Sequence, residues 1–268
     1  MAIHKALDST RVRHILVTND DGVHAPGLLA LKRALDQVGH VTVFAPDHNW
    51  SAAGHSKTMH KPLRVGQALL LDGTLAMTTT GAPSDCIGMA MLGLVDPLPD
   101  LVVSGINQGP NLGHDITYSG TVAAAMEAVI SGVPAIAVSL DTFDPSSDFE
   151  PAARFAARLS RKVLEEGLPP DTFLNVNLPP LPEGQLRGVV FTRLGKRLYH
   201  DDLIRRQDPK GHDYFWIGGK PPSGIVEDGT DFGSVANGFI SVTPIDMDMT
   251  HYQLLSQIGG WADDLGRP

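Results

Sequence analysis

The amino-acid sequence predicts an α/β protein in which helices cover both faces of a mainly parallel sheet. Short apolar runs of strand length alternate along residues 14–193 with stretches in which apolar residues recur at helical spacing. This alternation is typical of parallel strands joined by crossover helices. A chain of 268 residues is also long enough for one large domain of this kind or for two small ones.

The first predicted strand and helix enclose the most informative segment of the chain. Residues 14–18 are an apolar run that predicts a buried strand, and Gly39 is placed to end the following helix at C′. The apolar residues of that helix are Leu28, Leu31, Leu35 and Val38. Between the two lies Asn19-Asp20-Asp21-Gly22, so a pair of carboxylates follows the carboxyl end of a strand, where open α/β sheets build their sites.

Adjacent carboxylates repel each other unless a cation lies between them. Either Asp20 or Asp21 alone could form an Asx-turn or cap the next turn. A bound divalent cation explains both acids together, because hard cations take carboxylate oxygens as ligands.

The remaining elements follow the same reasoning. A hairpin is predicted over residues 64–80 with its turn at Asp72-Gly73, and Cys86 is expected in the core of the helix after it. The long polar segment 48–62 predicts a functional loop. The other predicted elements are strands 41–45, 100–104, 135–140, 173–178 and 188–193, and helices 83–94, 120–131 and 149–166. After Gly195 the alternation stops, and we expect a hairpin around residues 214–217, a late strand at 238–245 and a terminal helix at 254–265.

Composition excludes several classes of protein. The net charge of −9 argues against a protein that binds nucleic acid through its backbone. A single cysteine, Cys86, cannot form an intrachain disulfide and favours a reducing compartment, so we expect a cytoplasmic protein. Residues 1–10 lack the apolar core of a secretory signal, and the apolar stretch 121–140 is interrupted by Glu127, Gly132 and Pro134. We therefore expect no membrane span.

A second polar cluster follows the strand predicted at residues 100–104. Gly105, Gly109 and Gly113 suit a loop whose backbone approaches a ligand closely. Ser119 is placed to cap the helix at 120–131, and no Glu or Gln stands three residues later to complete a capping box. An ordinary capped helix would have the same pattern, but the neighbouring glycine- and asparagine-rich loop favours a phosphate site at the helix start.

Three polar clusters thus follow three different strands: Asp20-Asp21, the loop around Ser51, and residues 107–119. The carboxyl ends of parallel strands lie at one edge of a sheet, so these clusters can converge. Their carboxylate, amide and hydroxyl oxygens suit Mg²⁺ or Mn²⁺ beside a phosphate. The sequence contains no GxGxxG after the first strand, no GxxxxGK[ST] and no GxSxG, which disfavours dinucleotide-dependent dehydrogenases, P-loop NTPases and serine hydrolases.

The motifs themselves resemble those of a known family. NDDGVHAPG, APDHNWSAAGHS, GAPSDC and SGINQGPNLG…YSGTVAAAMEA are similar to the blocks of the SurE family, the survival-protein-E nucleotidases. TRLGKR, YFWIGG and GTDFGSVANGFISVTPI match its later blocks in the same order, so the likeness covers residues 14–251.

The resemblance implies a Rossmann-like three-layer α/β/α sandwich and a divalent-metal-dependent phosphatase, a 5′-nucleotidase that hydrolyses nucleoside 5′-monophosphates. It implies one Mg²⁺ or Mn²⁺ per subunit. The metal ligands would be Asp20, Asp21, Ser51 and Asn107, of which Asp20 and Asp21 would also be catalytic. We expect the phosphate and the rest of the substrate to contact Asn19, Ser104, Gly105, Gly109, Asn111, Ser119, Gly120 and Thr121.

Alternatives remain open at this stage. The same site could serve a 3′-nucleotidase or an exopolyphosphatase, and a regulatory module could bind a nucleotide without hydrolysing it. The nucleophile could be water or an aspartate, and the absence of a DxD spacing favours water. His24, His55 or His114 could protonate the leaving group, although surface or structural duty is the more common fate of such histidines.

The resemblance also implies a homo-oligomer, a dimer or a tetramer. We expect one domain over residues 1–268, with a core at about 13–194 and an edge-strand and oligomerisation region at about 195–268. Tyr214, Phe215 and Trp216 are expected to be partly buried against a second subunit, since an isolated hairpin is marginally stable in water.

Overall fold

The computed structural model describes residues 11–266. The first ten residues, which were expected not to form a secretory signal, lie outside this range. The strands are β1 (His14–Thr18), β2 (His40–Pro46), β3 (Val65–Leu69), β4 (Leu75–Thr79), β5 (Leu101–Gln108), β6 (Ala135–Leu140), β7 (Thr172–Leu178), β8 (Val189–Phe191), β9 (Arg197–Gln207), β10 (Asp213–Gly224) and β11 (Ile240–Asp246). The helices are α1 (Pro26–Leu35), α2 (Pro83–Met89), α3 (Gly120–Ile130), α4 (Glu150–Glu166), α5 (Asp231–Ala236), α6 (Tyr252–Gln257) and α7 (Trp261–Leu265).

Within the described residues the strands form a nine-stranded sheet and a separate two-stranded one. The large sheet has the order β3-β4-β2-β1-β5-β6-β7-β11-β8, and β9 pairs only with β10. The neighbours from β4 through β7 are all parallel, while β3 and β11 run antiparallel to β4 and β7. The predicted α/β class with a mainly parallel sheet is therefore confirmed.

Two buried apolar layers hold helices against the two faces of this sheet. Side chains of α1 and α4 pack with Ile15 and Val17 of β1 on one face. Side chains of α2 and α3 pack with Leu16 of β1 on the other. Successive residues of a strand point to opposite faces, so the continuous apolar run of β1 supplies both layers. The result is the three-layer α/β/α sandwich that the resemblance implies.

Most predicted elements have the expected type, including the hairpin that turns at Asp72-Gly73 and the helix capped by Ser119. Cys86 is fully buried, and burial raises the pKa of its thiol, so the expected place in the core is confirmed. None of the helices within residues 11–266 is both long and apolar enough to cross a bilayer.

Three details of the prediction are wrong. Helix α1 ends at Leu35 with Asp36 as its C-cap, so Gly39 does not end it. A Cβ at Gly39 would lie 2.4 Å from the carbonyl oxygen of Arg13, which explains the glycine by close packing. Gly105 lies inside β5 rather than in a loop. The helix expected at residues 254–265 is two short helices, α6 and α7.

The late strand predicted at residues 238–245 is β11, and it lies inside the large sheet. Strand β11 pairs with both β7 and β8 inside the large sheet, and β8 is the edge strand. The apolar residues of β11 that face the core, such as Val242, explain this central position because an edge strand would expose them.

Candidate active site

A cleft of about 270 Å³ opens beside Asp20 after β1, Ser51 in the loop after β2, and Asn107 at the end of β5. These three strands are neighbours, with β2 and β5 on opposite sides of β1. Such a reversal of strand order leaves a crevice at the carboxyl ends of the strands, where open α/β sheets bind their ligands. Six of the residues predicted for the site line this cleft: Asp20, Ser51, Asn107, Gly109, Asn111 and Ser119.

Asp20 lies beneath the first turn of α3 and is 3% exposed. The hydroxyl of Thr121 donates a hydrogen bond to Oδ1 of Asp20. Gly120 allows the close approach, because a Cβ there would lie 2.7 Å from the Cβ of Asp20. Burial raises the pKa of the Asp20 carboxyl, and the Thr121 hydroxyl and nearby backbone amides oppose that rise.

Asp21 points toward the end of β5. The backbone N–H of Gln108 donates to its Oδ2 at 3.1 Å. Burial and repulsion from Asp20 raise the pKa of Asp21 to about 6. No lysine or arginine in the described part of the chain counters the charge of either acid. When both carboxylates are ionised, a cation would therefore relieve their repulsion.

Asn107 and Ser51 offer neutral oxygens to the same cleft. The side-chain amide of Asn107 donates to the carbonyl oxygen of Gly109 at 2.8 Å, which leaves its own carbonyl oxygen as the group available for a cation. The loop that carries Ser51 is attached to the site, because Trp50 N donates to the carbonyl oxygen of Asp20 at 2.7 Å and Gly54 N donates to that of Tyr118 at 3.0 Å.

This donor set fits a hard divalent cation. Two carboxylates, an amide oxygen and a hydroxyl are ligands that Mg²⁺ and Mn²⁺ prefer, and the set contains none of the histidine or cysteine ligands typical of zinc sites. Within residues 11–266, no group of three or more His, Cys, Asp or Glu side chains could hold a metal ion. A cation in this cleft would rest on two acids, Asp20 and Asp21, and on uncharged oxygens.

The sequence predicts a phosphate site at the start of α3. The amides of Gly120 and Thr121 face the Asp20 carboxylate and oppose the rise of its pKa. The N–H of Val122 donates to Oγ of Ser119 at 3.1 Å, and that of Ala123 donates to the carbonyl oxygen of Ser119 at 3.0 Å. The amides of Val122 and Ala123 are thus engaged within the cap, those of Gly120 and Thr121 lie beside an acidic side chain, and the phosphate site expected at this helix start stays a prediction.

Five of the residues predicted to contact substrate do not line the cleft: Asn19, Ser104, Gly105, Gly120 and Thr121. Asn19 is buried and donates to the carbonyl oxygen of Gly22 at 3.0 Å, so it holds the turn that carries the two aspartates. Ser104 is fully buried in β5. Gly105 lies beside β6, where a Cβ would stand 2.3 Å from the carbonyl oxygen of Val138. Thr121 is also fully buried, and its hydroxyl is engaged by Asp20.

The three histidines do not line the cleft. Nε2 of His55 lies 3.1 Å from Oε2 of Glu127, whose Oε1 accepts from Lys57 at 2.7 Å. This buried glutamate on α3 therefore fastens the loop that carries Ser51. His24 and His114 are exposed. The structure gives none of them a contact that would identify a proton donor.

Sequence reasoning missed three residues that contribute to the cleft wall. Asp115 lines the cleft and interacts with two residues of β9. The hydroxyl of Tyr199 donates a hydrogen bond to Oδ1 of Asp115 at 2.7 Å, and Arg197 forms an ion pair in which Nε lies 2.9 Å from Oδ2. Burial and the Asp115 carboxylate raise the pKa of Tyr199 to about 12. The aromatic rings of Tyr118 and Phe143 complete this wall. Asp115 lies within the polar cluster predicted at residues 107–119, but no spacing or motif singled it out there.

Comparisons with known proteins agree with these features. The family model described as survival protein SurE matches residues 15–201. The chain is 53% identical over 246 residues to the 5′-nucleotidase SurE of Herpetosiphon aurantiacus, covering 91% of this chain and 96% of that relative. It is 52% identical over 255 residues to the 5′-nucleotidase SurE of Geobacter sulfurreducens, covering 95% and 96%. The crystal structure of a SurE protein from Aquifex aeolicus matches with a TM-score of 0.80 at 40% identity, covering 93% of this chain and 100% of that one.

Proposed function

The chain belongs to the SurE family, and from this premise we propose that it is a divalent-metal-dependent phosphatase that hydrolyses nucleoside 5′-monophosphates. The relatives from Herpetosiphon aurantiacus and Geobacter sulfurreducens are each named 5′-nucleotidase SurE, and the chain matches 96% of the length of each. The products would be a nucleoside and inorganic phosphate.

The charge of the cleft is the observation that best supports metal dependence. Asp20 and Asp115 line it, Asp21 lies next to it, and no lysine or arginine of the described residues is part of the lining. The guanidinium of Arg197 is paired with Asp115 of the cleft wall, with Nε 2.9 Å from Oδ2. A phosphate dianion would be repelled by this cleft, so productive binding requires a cation held by the aspartates.

We assign the metal ligands to Asp20, Asp21, Ser51 and Asn107, with Mg²⁺ or Mn²⁺ as the cation. When bound, such a cation supplies positive charge for the phosphate and activates a water molecule. Thr121 and Gly120 hold the Asp20 carboxylate in place from the side of α3. Spontaneous hydrolysis of phosphate monoesters is so slow that the site must supply on the order of 20 kcal/mol of transition-state stabilisation.

Ser119, the N-cap of α3, is the group at this helix start that we assign to the phosphate itself. Its Oγ accepts from Val122 N, so its own hydroxyl hydrogen is left to donate to a phosphoryl oxygen in the cleft. The dipole of α3 adds a favourable interaction with the negative charge that develops there. Gly109 and Asn111 line the remaining part of the cleft and are assigned to substrate contact.

Phosphate release from a panel of substrates tests the proposal. We expect release from nucleoside 5′-monophosphates with Mg²⁺ or Mn²⁺ and its loss with EDTA. Asp20→Asn and Asp21→Asn should each lower turnover by orders of magnitude while circular dichroism shows an intact fold. Full activity after exhaustive chelation would contradict metal dependence, and normal turnover of either variant would remove that residue from the site.

The same panel separates the alternatives. Preferred hydrolysis of 3′-monophosphates or of polyphosphate would identify a 3′-nucleotidase or an exopolyphosphatase. Nucleotide binding without any phosphate release would identify a regulatory module. The paired aspartates favour the enzyme, because a module that only binds phosphate does not need two carboxylates around a metal.

We also propose that the protein is a dimer or a tetramer in the cytoplasm. The hairpin β9–β10 pairs with no other strand of the described chain, and Tyr214, Phe215 and Trp216 are 44%, 54% and 63% exposed on it. Apolar surface of this kind is stabilised by a second subunit. Light scattering at micromolar concentration should give a mass well above 28.6 kDa, and a monomer of that mass would contradict the proposal.

A further inference from the structure

Two aromatic side chains of the cleft have no role in the assignments made so far. Phe143, in the loop after β6, is 78% exposed, and Tyr118, at the residue before Ser119, is 61% exposed. Both line the same cleft as Asp20 and Asn107. Single exposed apolar residues are common on protein surfaces. An aromatic ring beside a polar catalytic cleft, however, offers a flat face to whatever is attached to the phosphate.

The ring of Phe143 lies directly over the backbone of Gly109. A Cβ at Gly109 would stand 3.0 Å from Cε1 of the ring, and Gly109 has φ +124°, a conformation that favours glycine. The carbonyl oxygen of Gly109 accepts the side-chain hydrogen bond of Asn107. The ring is therefore connected through a single glycine to a proposed metal ligand. The remainder of a substrate whose phosphate lies at Asp20 and Asn107 can reach it.

The loop that carries Phe143 is held by its own hydrogen bonds. The hydroxyls of Thr142 and Ser147 lie 2.7 Å apart, and Asp144 N donates to Thr142 Oγ1 at 3.1 Å. Thr142 is buried, and its N–H donates to the carbonyl oxygen of Leu140 at 2.8 Å. Hydrogen bonds thus hold the residues on each side of Phe143, so its ring projects from a turn with a defined backbone.

We propose that Phe143 is the surface on which the base of the substrate stacks, and that this contact makes the enzyme prefer nucleotides to sugar phosphates. The inference rests on the proposed phosphatase function and adds the residue that selects the substrate class. A nucleobase has a π-face that stacks on a phenyl ring, whereas ribose 5-phosphate and polyphosphate have none. The proposed roles of Asp20, Asn107 and Ser119 concern only the metal and the phosphate, which all of these substrates share.

The test compares adenosine 5′-monophosphate with ribose 5-phosphate in wild type, Phe143→Ala and Phe143→Trp. Phe191→Ala is the matched control, because Phe191 is 74% exposed on β8 and does not line the cleft. Phosphate release with Mg²⁺ gives kcat and KM, and calorimetry with Mg²⁺ gives the dissociation constants of any ligand that is bound without phosphate release. Circular dichroism confirms that each variant is folded.

We expect wild type to bind the nucleotide more tightly than the sugar phosphate. Phe143→Ala should weaken nucleotide binding on the order of tenfold, through KM rather than kcat, and leave ribose 5-phosphate unchanged. Phe143→Trp should retain nucleotide binding, and Phe191→Ala should behave as wild type. Equal losses for both ligands in Phe143→Ala, or no loss for the nucleotide, would overturn the inference.

The two readouts separate this inference from the proposed function. Base-dependent binding that Phe143→Ala abolishes, without phosphate release by any variant, would support the stacking surface and contradict the phosphatase. Metal-dependent phosphate release with the same affinity for nucleotide and sugar phosphate would support the phosphatase and contradict the stacking surface.

Discussion

Replacing Thr121 by valine separates two possible roles of the first turn of α3. From the sequence alone, Thr121 is expected to contact the substrate. In the structure Thr121 is fully buried and its hydroxyl donates to Oδ1 of Asp20. Valine keeps the branched shape of threonine and removes only the donor. We therefore expect Thr121→Val to weaken binding of the proposed metal ion before it weakens substrate binding.

The size of the effect follows from the lost hydrogen bond. A hydrogen bond to a charged group contributes about 1.5–3 kcal/mol, which corresponds to a loss of roughly 10- to 100-fold in affinity for the cation. Groups that orient a metal ligand from behind typically have effects of this size. A larger loss is not expected, because the backbone amides of Gly120 and Thr121 still face the Asp20 carboxylate in the variant.

The assay measures the dissociation constant for Mn²⁺ by calorimetry and then kcat and KM at increasing Mn²⁺ concentration. Thr121→Val should bind Mn²⁺ about 10- to 100-fold more weakly and should recover most of its turnover at saturating metal. Thr121→Ser keeps the hydroxyl and is the control, with nearly normal affinity. Thermal unfolding of the metal-free proteins checks that each variant is folded.

One result would refute this reasoning. If Thr121→Val binds Mn²⁺ normally while its KM for the nucleotide rises tenfold, the hydroxyl contacts substrate and the sequence-based role is correct. The bond to Asp20 would then be broken in the working enzyme.

Two further predictions concern a helix cap and an ion pair. Ser119→Ala should lower the free energy of unfolding by about 1 kcal/mol through loss of the N-cap and also weaken inhibition by phosphate or vanadate; a change in stability alone would leave Ser119 as a plain cap. Burial opposes ionisation of Asp72, but hydrogen bonds from Thr74 and Lys32 outweigh it and lower its pKa to about 2. The ion pair between Lys32 and Asp72 stabilises the fold above pH 4, and its contribution is lost as the pH falls through 2. Asp72→Asn should therefore lower the free energy of unfolding, measured in urea, by about 1–2 kcal/mol at pH 7 and by less at pH 3. An equal decrease at both pH values would show that the charge of Asp72 is not the cause.

Local sequence patterns predicted much of the fold, because strands and helix caps are determined largely by residues that are close together in the chain. The apolar run of β1 and the cap at Ser119 depend on residues within one or two turns, and both are present as expected. The polar clusters at Asp20, Ser51 and Asn107 could be placed together because parallel strands end at one edge of a sheet. That argument needs only the strand order, which the alternation of strands and helices restricts.

Contacts between distant segments could not be predicted in this way. Asp115 is held by Tyr199, 84 positions later in the chain, and no local pattern connects them. Gly105 was expected in a loop because glycine favours turns, yet β6 approaches this position so closely that only glycine fits within β5. In both cases packing between elements decides the role of the residue, and single-sequence patterns do not report packing.

The start of α3 bears on the proposed cation, because an acidic side chain already lies at this helix N-terminus. A helix N-terminus attracts anions, and the sequence alone suggested that the anion there is phosphate. In the structure the anion is the Asp20 carboxylate, which faces the amides of Gly120 and Thr121. Because two of the first four amides face this carboxylate and the other two donate within the cap, we expect the helix to contribute mainly the Ser119 hydroxyl and its dipole to phosphate binding. The attraction for a phosphate dianion would then come from a cation, and the carboxylate beside the start of α3 is one of the two acids to which we assign its binding.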